Sequence, residues 1–180
     1  YVNKQMKKQI AIVGSLLDQT QMIENKENVE LAKKVGEVIA ETKNTLLFGF
    51  EGDFTSYSEI AAKASLEKQG NVIAFAWSDC NLKSPQDFFF VNTGLQRAGG
   101  REFILISSAD LVVSIGGGSG TLGEIVIAYQ KRIPIYSFTK TGGISNEYSN
   151  RFIDSRKHDI IHPLKDINEF RIMLENAINK

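Results

Sequence analysis

The sequence contains few of the residues that mark secreted, metal-binding or membrane proteins. Its 180 residues include one cysteine, Cys80, so no disulfide can form within the chain, and we expect a reducing compartment, the cytoplasm. No apolar run approaches the roughly 18 residues that a membrane-spanning helix needs. The two histidines, His158 and His162, are four residues apart, but Pro163 follows them and the glutamate of the H-E-x-x-H zinc motif is missing, which argues against a metal site.

An excess of charge of either sign is also lacking. The 21 basic and 21 acidic residues cancel, which argues against general binding to nucleic acids or to membrane surfaces. The length suits one domain with a sizeable core. The first residues carry no apolar stretch of a secretion signal, and Met6 begins a segment that resembles a natural start. We therefore interpret residues 6–180 as the domain and residues 1–5 as an extension.

Strand and helix patterns alternate along the whole chain. Alternation of this kind predicts an α/β fold: one domain with a parallel sheet, helices on both faces and right-handed crossovers. Residues 139–150 contain Gly142 and Gly143 and are predicted to be a mobile loop. The predicted strands are 9–13, 45–48, 71–77, 111–115 and 135–138, and the main predicted helices are 28–42, 56–68, one that follows Thr121 and runs to residue 130, and 166–179.

The most informative stretch is residues 111–121, which read L-V-V-S-I-G-G-G-S-G-T. A β-branched run is followed by a glycine turn, where the backbone can bend tightly and a ligand can approach closely. The next helix begins with free N–H groups and the positive end of its dipole, an arrangement typical of phosphate sites. The alternative is a plain turn with surplus glycines. The predicted phosphate- or nucleotide-binding residues are Gly116, Gly117, Gly118, Ser119, Gly120 and Thr121.

Other strand ends are expected to meet this turn, because ligands in parallel sheets lie beyond the carboxyl ends of the strands. Gly14, Ser15 and Gly49 are therefore also predicted to bind the ligand, although Gly14-Ser15 also fits a simple strand exit. Trp77 either stacks on a base or packs in the core. The carboxylates that follow Gly49, Glu51 and Asp53, either hold ribose hydroxyls or belong to a solvated loop.

Three consecutive phenylalanines, Phe88, Phe89 and Phe90, cannot all face one core from a strand, because alternate side chains point in opposite directions. We expect one of them to be exposed, at a pocket or at a subunit contact.

Two charged residues near the glycine turn each allow two interpretations. Glu124 follows Thr121 at the spacing of a capping box, which would explain a glutamate there without any chemistry. Arg101, ahead of the strand, is either a surface charge or part of the ligand site.

The run G-G-G-S-G-T-L-G-E over residues 116–124 resembles the P-G-G-x-G-T-x-x-E signature of the Lonely Guy family, also called lysine decarboxylase-like. Those proteins are nucleoside 5′-monophosphate phosphoribohydrolases. The signature also marks a wider superfamily of Rossmann-like nucleotide-binding proteins that includes molybdenum-cofactor carriers. Arg101 stands nine residues before Asp110, the spacing of the family's arginine. Glycine at position 116, where the hydrolases have proline, is typical of the carrier-like branch.

This resemblance implies a Rossmann-like fold, a homodimer and one of two functions. In the first, the loop at 116–121 binds a nucleotide or a phosphate-bearing cofactor such as molybdopterin, as a carrier or sensor. In the second, the protein cleaves the N-glycosidic bond of a nucleoside 5′-monophosphate, and Arg101 and Glu124 are catalytic. Arg101 would then orient the ligand or assist the leaving base, and Glu124 would stabilise the ribose cation or activate water. Neither function requires a cofactor, and the ligand is expected to be a nucleoside monophosphate or a similar phosphate compound.

Overall fold

The structure, a computed structural model, describes residues 7–52, 54–82 and 87–178. Its strands are β1 (Gln9–Gly14), β2 (Leu16–Leu17), β3 (Thr45–Gly49), β4 (Thr55–Ser56), β5 (Asn71–Ala76), β6 (Phe89–Asn92), β7 (Leu111–Ile115), β8 (Ile135–Phe138) and β9 (His162–Leu164). Its helices are α1 (Gln19–Glu24), α2 (Lys26–Glu41), α3 (Tyr57–Glu67), α4 (Gly100–Ser107), α5 (Ser119–Gln130), α6 (Gly143–Glu147) and α7 (Ile167–Ile178).

Seven of the strands form one parallel sheet in the order β6-β5-β3-β1-β7-β8-β9. The central strands β1 and β7 pair with Ile10 opposite Leu111 and Gly14 opposite Ile115. All five residues of β7 are buried, as expected for a strand covered on both faces. The strands β2 and β4 form a separate antiparallel ribbon that joins the exit of β1 to the start of α3. The predicted α/β fold is confirmed.

Two apolar cores lie on the two faces of the sheet. The first packs α2, α3 and α7 against the strands and includes Ile39, Ala61 and Phe170. The second packs α4 and α5 against the opposite face and includes Leu105 and Ile125. Helices therefore cover both faces, as the alternating pattern predicted.

Helices α2 and α3 pack closely because Gly36 carries no side chain. A Cβ at this position would overlap the carbonyl oxygen of Ala61. Glycine inside a helix is unfavourable, so its presence in α2 is explained by this approach of the two backbones.

The prediction of a mobile loop over 139–150 is wrong for the part that forms α6. The N–H groups of Ile144 and Ser145 donate to the carbonyl oxygens of Gly117 (3.0 Å) and Gly116 (2.9 Å). This short helix depends on acceptors that are remote in the sequence, and the glycines at its cap and first position, Gly142 and Gly143, hid it from a local pattern. Gly142 and Gly143 have φ values of 76° and 55°.

Other local predictions have mixed outcomes. The polar stretch before α2 contains helix α1, whose cap is Asp18 with Gln21 in a capping box. Of the three phenylalanines, Phe88 is buried and Phe89 is 69% exposed on the edge strand β6, so the expectation of one exposed ring is confirmed. Asp53 lies outside the described residues. No helix among the described residues has the length and hydrophobicity to cross a membrane.

Two glycine-to-alanine substitutions in helices are expected to change stability in opposite directions. Gly36→Ala forces α2 and α3 apart and should lower the free energy of unfolding by roughly 1–3 kcal/mol. Gly123→Ala, in α5, places its Cβ where no atom lies within 4 Å, and should raise the free energy of unfolding by roughly 0.5–1 kcal/mol. Urea denaturation measures both. A shift of the same sign in the two variants would contradict the assigned packing.

Candidate ligand-binding site

A cavity of about 930 Å³ lies at the carboxyl ends of the central strands. It is bordered by the exits of β1 and β3, the segment leading into α4, and the turn from β7 into α5. The site residues predicted from the sequence that line it are Gly14, Ser15, Gly49, Arg101, Gly117, Gly118, Ser119, Gly120, Thr121 and Glu124. The cavity lining does not include Trp77, which follows the last residue of β5, or Gly116, which is buried beneath the loop.

The glycine turn adopts a backbone that other residues rarely reach. Gly116 has a φ of 64° and Gly117 a φ of 101°, both in the left-handed region that favours glycine. The N–H of Gly116 donates to Thr141 Oγ1 at 2.8 Å, and the N–H of Gly117 donates to Ser15 Oγ at 2.7 Å. These N–H groups therefore fix the shape of the loop and are not free for a ligand.

The loop is also held from its carbonyl side. The carbonyl oxygens of Gly116 and Gly117 accept the hydrogen bonds from α6, and a Cβ on Gly143 would overlap the Gly117 oxygen. Asn28 in turn donates to the carbonyl oxygen of Thr141 at 3.1 Å. Side chains and helix ends from three separate segments thus give the loop a single conformation.

Gly14 and Ser15 join the ends of the two central strands. A Cβ on Gly14 would overlap the carbonyl oxygen of Ile115, and the Ser15 N–H donates to that same oxygen at 3.3 Å. Because the Ser15 hydroxyl also holds the N–H of Gly117, this segment is more than a simple strand exit.

The N-terminus of α5 opens into the cavity without a cap. Its N-cap residue is Gly118, and no side chain caps it. Within the described residues, no acceptor is bonded to the N–H groups of Gly118, Ser119, Gly120 or Thr121. Unpaired N–H groups at the positive end of a helix are an arrangement that can bind an anion.

Arg101 is buried, with 2% of its surface exposed, so it is not a surface charge. Its Nη2 donates to Glu51 Oε1 at 2.5 Å and to Glu102 Oε1 at 2.7 Å. Its Nη1 donates to the carbonyl oxygens of Phe50 (3.3 Å) and Phe75 (3.2 Å). The guanidinium therefore ties α4 to the ends of β3 and β5 and leaves little donor capacity for a ligand.

The two carboxylates beside Arg101 have further partners. Arg97 Nε lies 2.9 Å from Glu51 Oε2, and the Gly99 N–H donates to Glu102 Oε2 at 2.7 Å. Burial raises the pKa of Glu102, but the hydrogen bond from Gly99 and the charge of Arg101 outweigh it, so the pKa is lowered. Because Glu51 is ion-paired and its side chain is only 11% exposed, it does not belong to a solvated loop, and its contact with a ribose stays a prediction.

Gly49 has a packing role that the sequence did not reveal. A Cβ at this position would overlap Nη1 of Arg101. The glycine thus makes room for the guanidinium at the cavity wall.

Glu124 lines the cavity from the second turn of α5. The capping-box interpretation is wrong, because the helix begins at Ser119 and Thr121 is already its third residue. Burial raises the pKa of Glu124 to about 8; Arg101 acts in the opposite direction, and Glu102 and Glu51 add to the rise. The carboxyl is therefore mostly protonated at neutral pH.

Several cavity and support residues were missed from the sequence. Ser56 caps α3 by accepting from the Glu59 N–H at 3.1 Å, and its position in the cavity depends on the β2–β4 ribbon. The adjacent glycines Gly142 and Gly143, at the start of α6, were the sequence signal that could have indicated the contact between α6 and the glycine loop. The missed lining residues with polar side chains are Gln21, Ser56, Ser58, Arg97 and Glu102.

Comparison with known proteins gives the family. The model of the SLOG cluster4 family matches residues 7–169. The chain belongs to this family. The match agrees with the resemblance to Lonely Guy-like proteins, which was drawn from the glycine loop.

This SLOG cluster4 protein is similar to one protein in sequence and to two solved structures in fold, as follows. An uncharacterized protein of Archaeoglobus fulgidus is 33% identical over 107 residues, which are 59% of this chain and 68% of that protein. The solved structure of TM1055 has a TM-score of 0.81 and 25% identity, and covers 94% of this chain and 99% of its own. The molybdenum cofactor carrier protein of Chlamydomonas reinhardtii has a TM-score of 0.76 and 20% identity, over 97% and 100% of the two chains.

In this SLOG cluster4 protein, replacing Arg101 should cost far more stability than replacing Arg97. Arg101→Leu leaves Glu51 and Glu102 without their buried cation and should lower the free energy of unfolding by roughly 3–5 kcal/mol. Arg97→Leu, whose side chain is 43% exposed, is the matched control and should cost roughly 1 kcal/mol or less.

The cost of Arg101→Leu should also depend on pH. Because the folded-state pKa of Glu102 is lowered, its pairing stabilises the protein above its unfolded pKa of about 4.3, and this contribution is lost as the pH falls through the folded value. Urea denaturation at neutral pH and below about pH 4 should show the gap between wild type and variant shrinking in acid. A gap independent of pH would contradict the ion-pair assignment.

Proposed function

We propose that this protein binds a nucleotide or another phosphate-bearing cofactor, as a carrier or sensor. The observation that carries the proposal is the uncapped N-terminus of α5, whose N–H groups at Gly118 to Thr121 open into the cavity. The phosphate would accept hydrogen bonds from these groups and lie at the positive end of the helix dipole.

The loop around this N-terminus supports binding because its shape is already set. Ser15 and Thr141 hold the N–H groups of Gly116 and Gly117, and α6 holds their carbonyl oxygens. A ligand would therefore meet N–H groups that need no rearrangement, which lowers the entropic cost of binding.

The cavity is too large for a phosphate ion alone. Pockets for small molecules commonly measure about 300–1,000 Å³, and this one, at about 930 Å³, lies near the upper end. Hydroxyls of Ser56 and Ser58, the amide of Gln21 and the guanidinium of Arg97 line the space away from the loop. These groups offer donors and acceptors to a sugar or a heterocycle, as a nucleotide or a pterin cofactor would need.

The structural likeness to the molybdenum cofactor carrier protein supports a carrier role in particular. That protein shares the fold over nearly the whole of both chains. A cofactor that carries a phosphate would place that group at the α5 N-terminus and its ring system in the remaining cavity.

The arrangement of Arg101 and Glu124 favours binding over hydrolysis. A hydrolase of the Lonely Guy type would need a cation for the ligand and a carboxylate for the ribose cation. Here the Arg101 guanidinium is bonded to two carboxylates and two carbonyl oxygens, and the pKa of the Glu124 carboxyl is raised to about 8, so that only a small fraction of it is ionised at neutral pH. The φ of 64° at Gly116 also excludes the proline of the hydrolase signature, whose ring fixes φ near −65°.

Two substitutions at Gly120 test the anion site. No atom lies within 4 Å of a Cβ at this position, so both Gly120→Ala and Gly120→Asp should fold, and an aspartate in the first helical turn is itself favourable. The carboxylate of Gly120→Asp would compete for the N–H groups, and the affinity for adenosine 5′-monophosphate should fall by about tenfold or more.

Gly120→Ala is the matched control and should bind within about threefold of the wild type, because it adds a Cβ without charge. Isothermal titration calorimetry measures the affinities, and thermal unfolding checks the fold. Equal affinity in the two variants would contradict a phosphate at this helix end.

Hydrolysis is tested separately, by release of free base from a panel of nucleoside 5′-monophosphates. At protein concentrations where one of these nucleotides binds, we expect no base release. The Arg101 guanidinium is already paired with carboxylates, and the Glu124 carboxyl is mostly protonated at neutral pH. Chromatography of the free base provides the measurement, with Glu124→Ala as the control. Release by the wild type that disappears in Glu124→Ala would instead make the protein a phosphoribohydrolase.

A further inference from the structure

We propose that the cavity takes up its anionic ligand together with a proton, which the Glu124 carboxyl holds while it donates a hydrogen bond to the ligand. This inference rests on the proposed function, since it concerns the same phosphate-bearing ligand. It adds that the site binds this ligand in a protonated state, and that Glu124 is the residue that carries the proton.

The position of Glu124 is the first observation. Its side chain lines the cavity from α5, one turn beyond the uncapped N–H groups. Within the described part of the chain, no group forms a hydrogen bond with its carboxyl, unlike Glu51 and Glu102, which are bonded to Arg101. A carboxyl that faces a cavity without a protein partner is available to a ligand.

The charges on the cavity wall are the second observation. Among the residues that the structure describes, the charged side chains there are those of Arg97, Arg101, Glu51, Glu102 and Glu124. The two arginines pair with Glu51 and Glu102, so their charges cancel. Glu124 is the residue left over: the wall is neutral when it is protonated and carries one negative charge when it is ionised.

The groups facing Glu124 come from α4 and from the segment after β3. Arg101 and Glu102 belong to α4, and Glu51 follows β3. Of the other elements that pack against α5, β1, β7 and β8 contribute no charged side chain, and Tyr136 of β8 packs in the opposite core. Glu147 of α6 is exposed and is not part of the cavity lining. The two carboxylates nearby therefore oppose ionisation of Glu124, and the one cation is already neutralised.

An anionic ligand strengthens this effect. A phosphate dianion at the α5 N-terminus adds negative charge to the cavity that Glu124 lines, and so raises its pKa above the value of about 8 in the free protein. By linkage, binding must then draw a proton from solution wherever free Glu124 is partly ionised. The affinity should be constant below about pH 7 apart from the ligand's own titration, and should fall by up to about tenfold per pH unit above about pH 8.

Calorimetry in two buffers of different ionisation enthalpy measures the protons taken up for each ligand bound. Adenosine 5′-monophosphate is the probe between about pH 7 and pH 9, where its phosphate stays a dianion because its second pKa is about 6. We expect uptake close to zero at about pH 7, rising to about half a proton or more at about pH 8–9, with a falling affinity.

Two variants test whether Glu124 is the group that takes up the proton. Glu124→Gln keeps the neutral shape and the donor, so it should fold and bind with no proton uptake and with no loss of affinity toward high pH. Glu67→Gln, on the exposed end of α3 outside the cavity, removes one carboxylate elsewhere and should behave as the wild type.

The possible results separate this inference from the proposed function. Binding that is independent of pH and takes up no proton overturns the inference and leaves the carrier or sensor role in place. Uptake that persists in Glu124→Gln places the proton on another group and also overturns it. Failure of every nucleoside monophosphate and of inorganic phosphate to bind at any pH overturns the proposed function, and this inference with it.

Discussion

The buried guanidinium of Arg101 is the contact on which the rest of the site depends. It joins the first turn of α4 to the backbone at the ends of β3 and β5, and it binds the carboxylates of Glu51 and Glu102. Gly49 leaves the space for it, and Arg97 completes the charge balance at the rim. Without this cation, two acidic side chains would face each other in a poorly solvated place, and one wall of the cavity would lose its position.

Under this proposal, the backbone N–H groups at the start of α5 bind the anion. Other anion sites use an unpaired lysine or arginine side chain for this purpose. Its buried arginine is fully occupied, while the N–H groups at the start of α5 are open. A fixed loop is needed for this to work, because N–H groups that had to rearrange would lose much of their advantage. Ser15, Thr141 and the start of α6 fulfil that need from both sides of the loop.

The sheet and the glycine loop could be predicted because their signals are local. A β-branched run and a glycine turn are visible within residues 111–121. The pairing of Glu51 with Arg101 joins positions 50 residues apart, and the first N–H groups of α6 donate to acceptors 27 and 29 residues earlier, so neither has a local pattern. The start of α5 at Ser119 depends on the backbone of the glycine turn, which is why the spacing of Thr121 and Glu124 indicated a cap that does not exist.

The left-handed backbone at Gly116 also limits how such loops can change during evolution. A glycine with a φ of 64° cannot be replaced by proline unless the peptide groups around it rotate. Rotation would break the hydrogen bonds to Thr141 and to α6, so those partners would have to change with it. A loop of this kind and one that begins with proline are therefore separated by several coordinated substitutions, and intermediates between them would be poorly folded at this position.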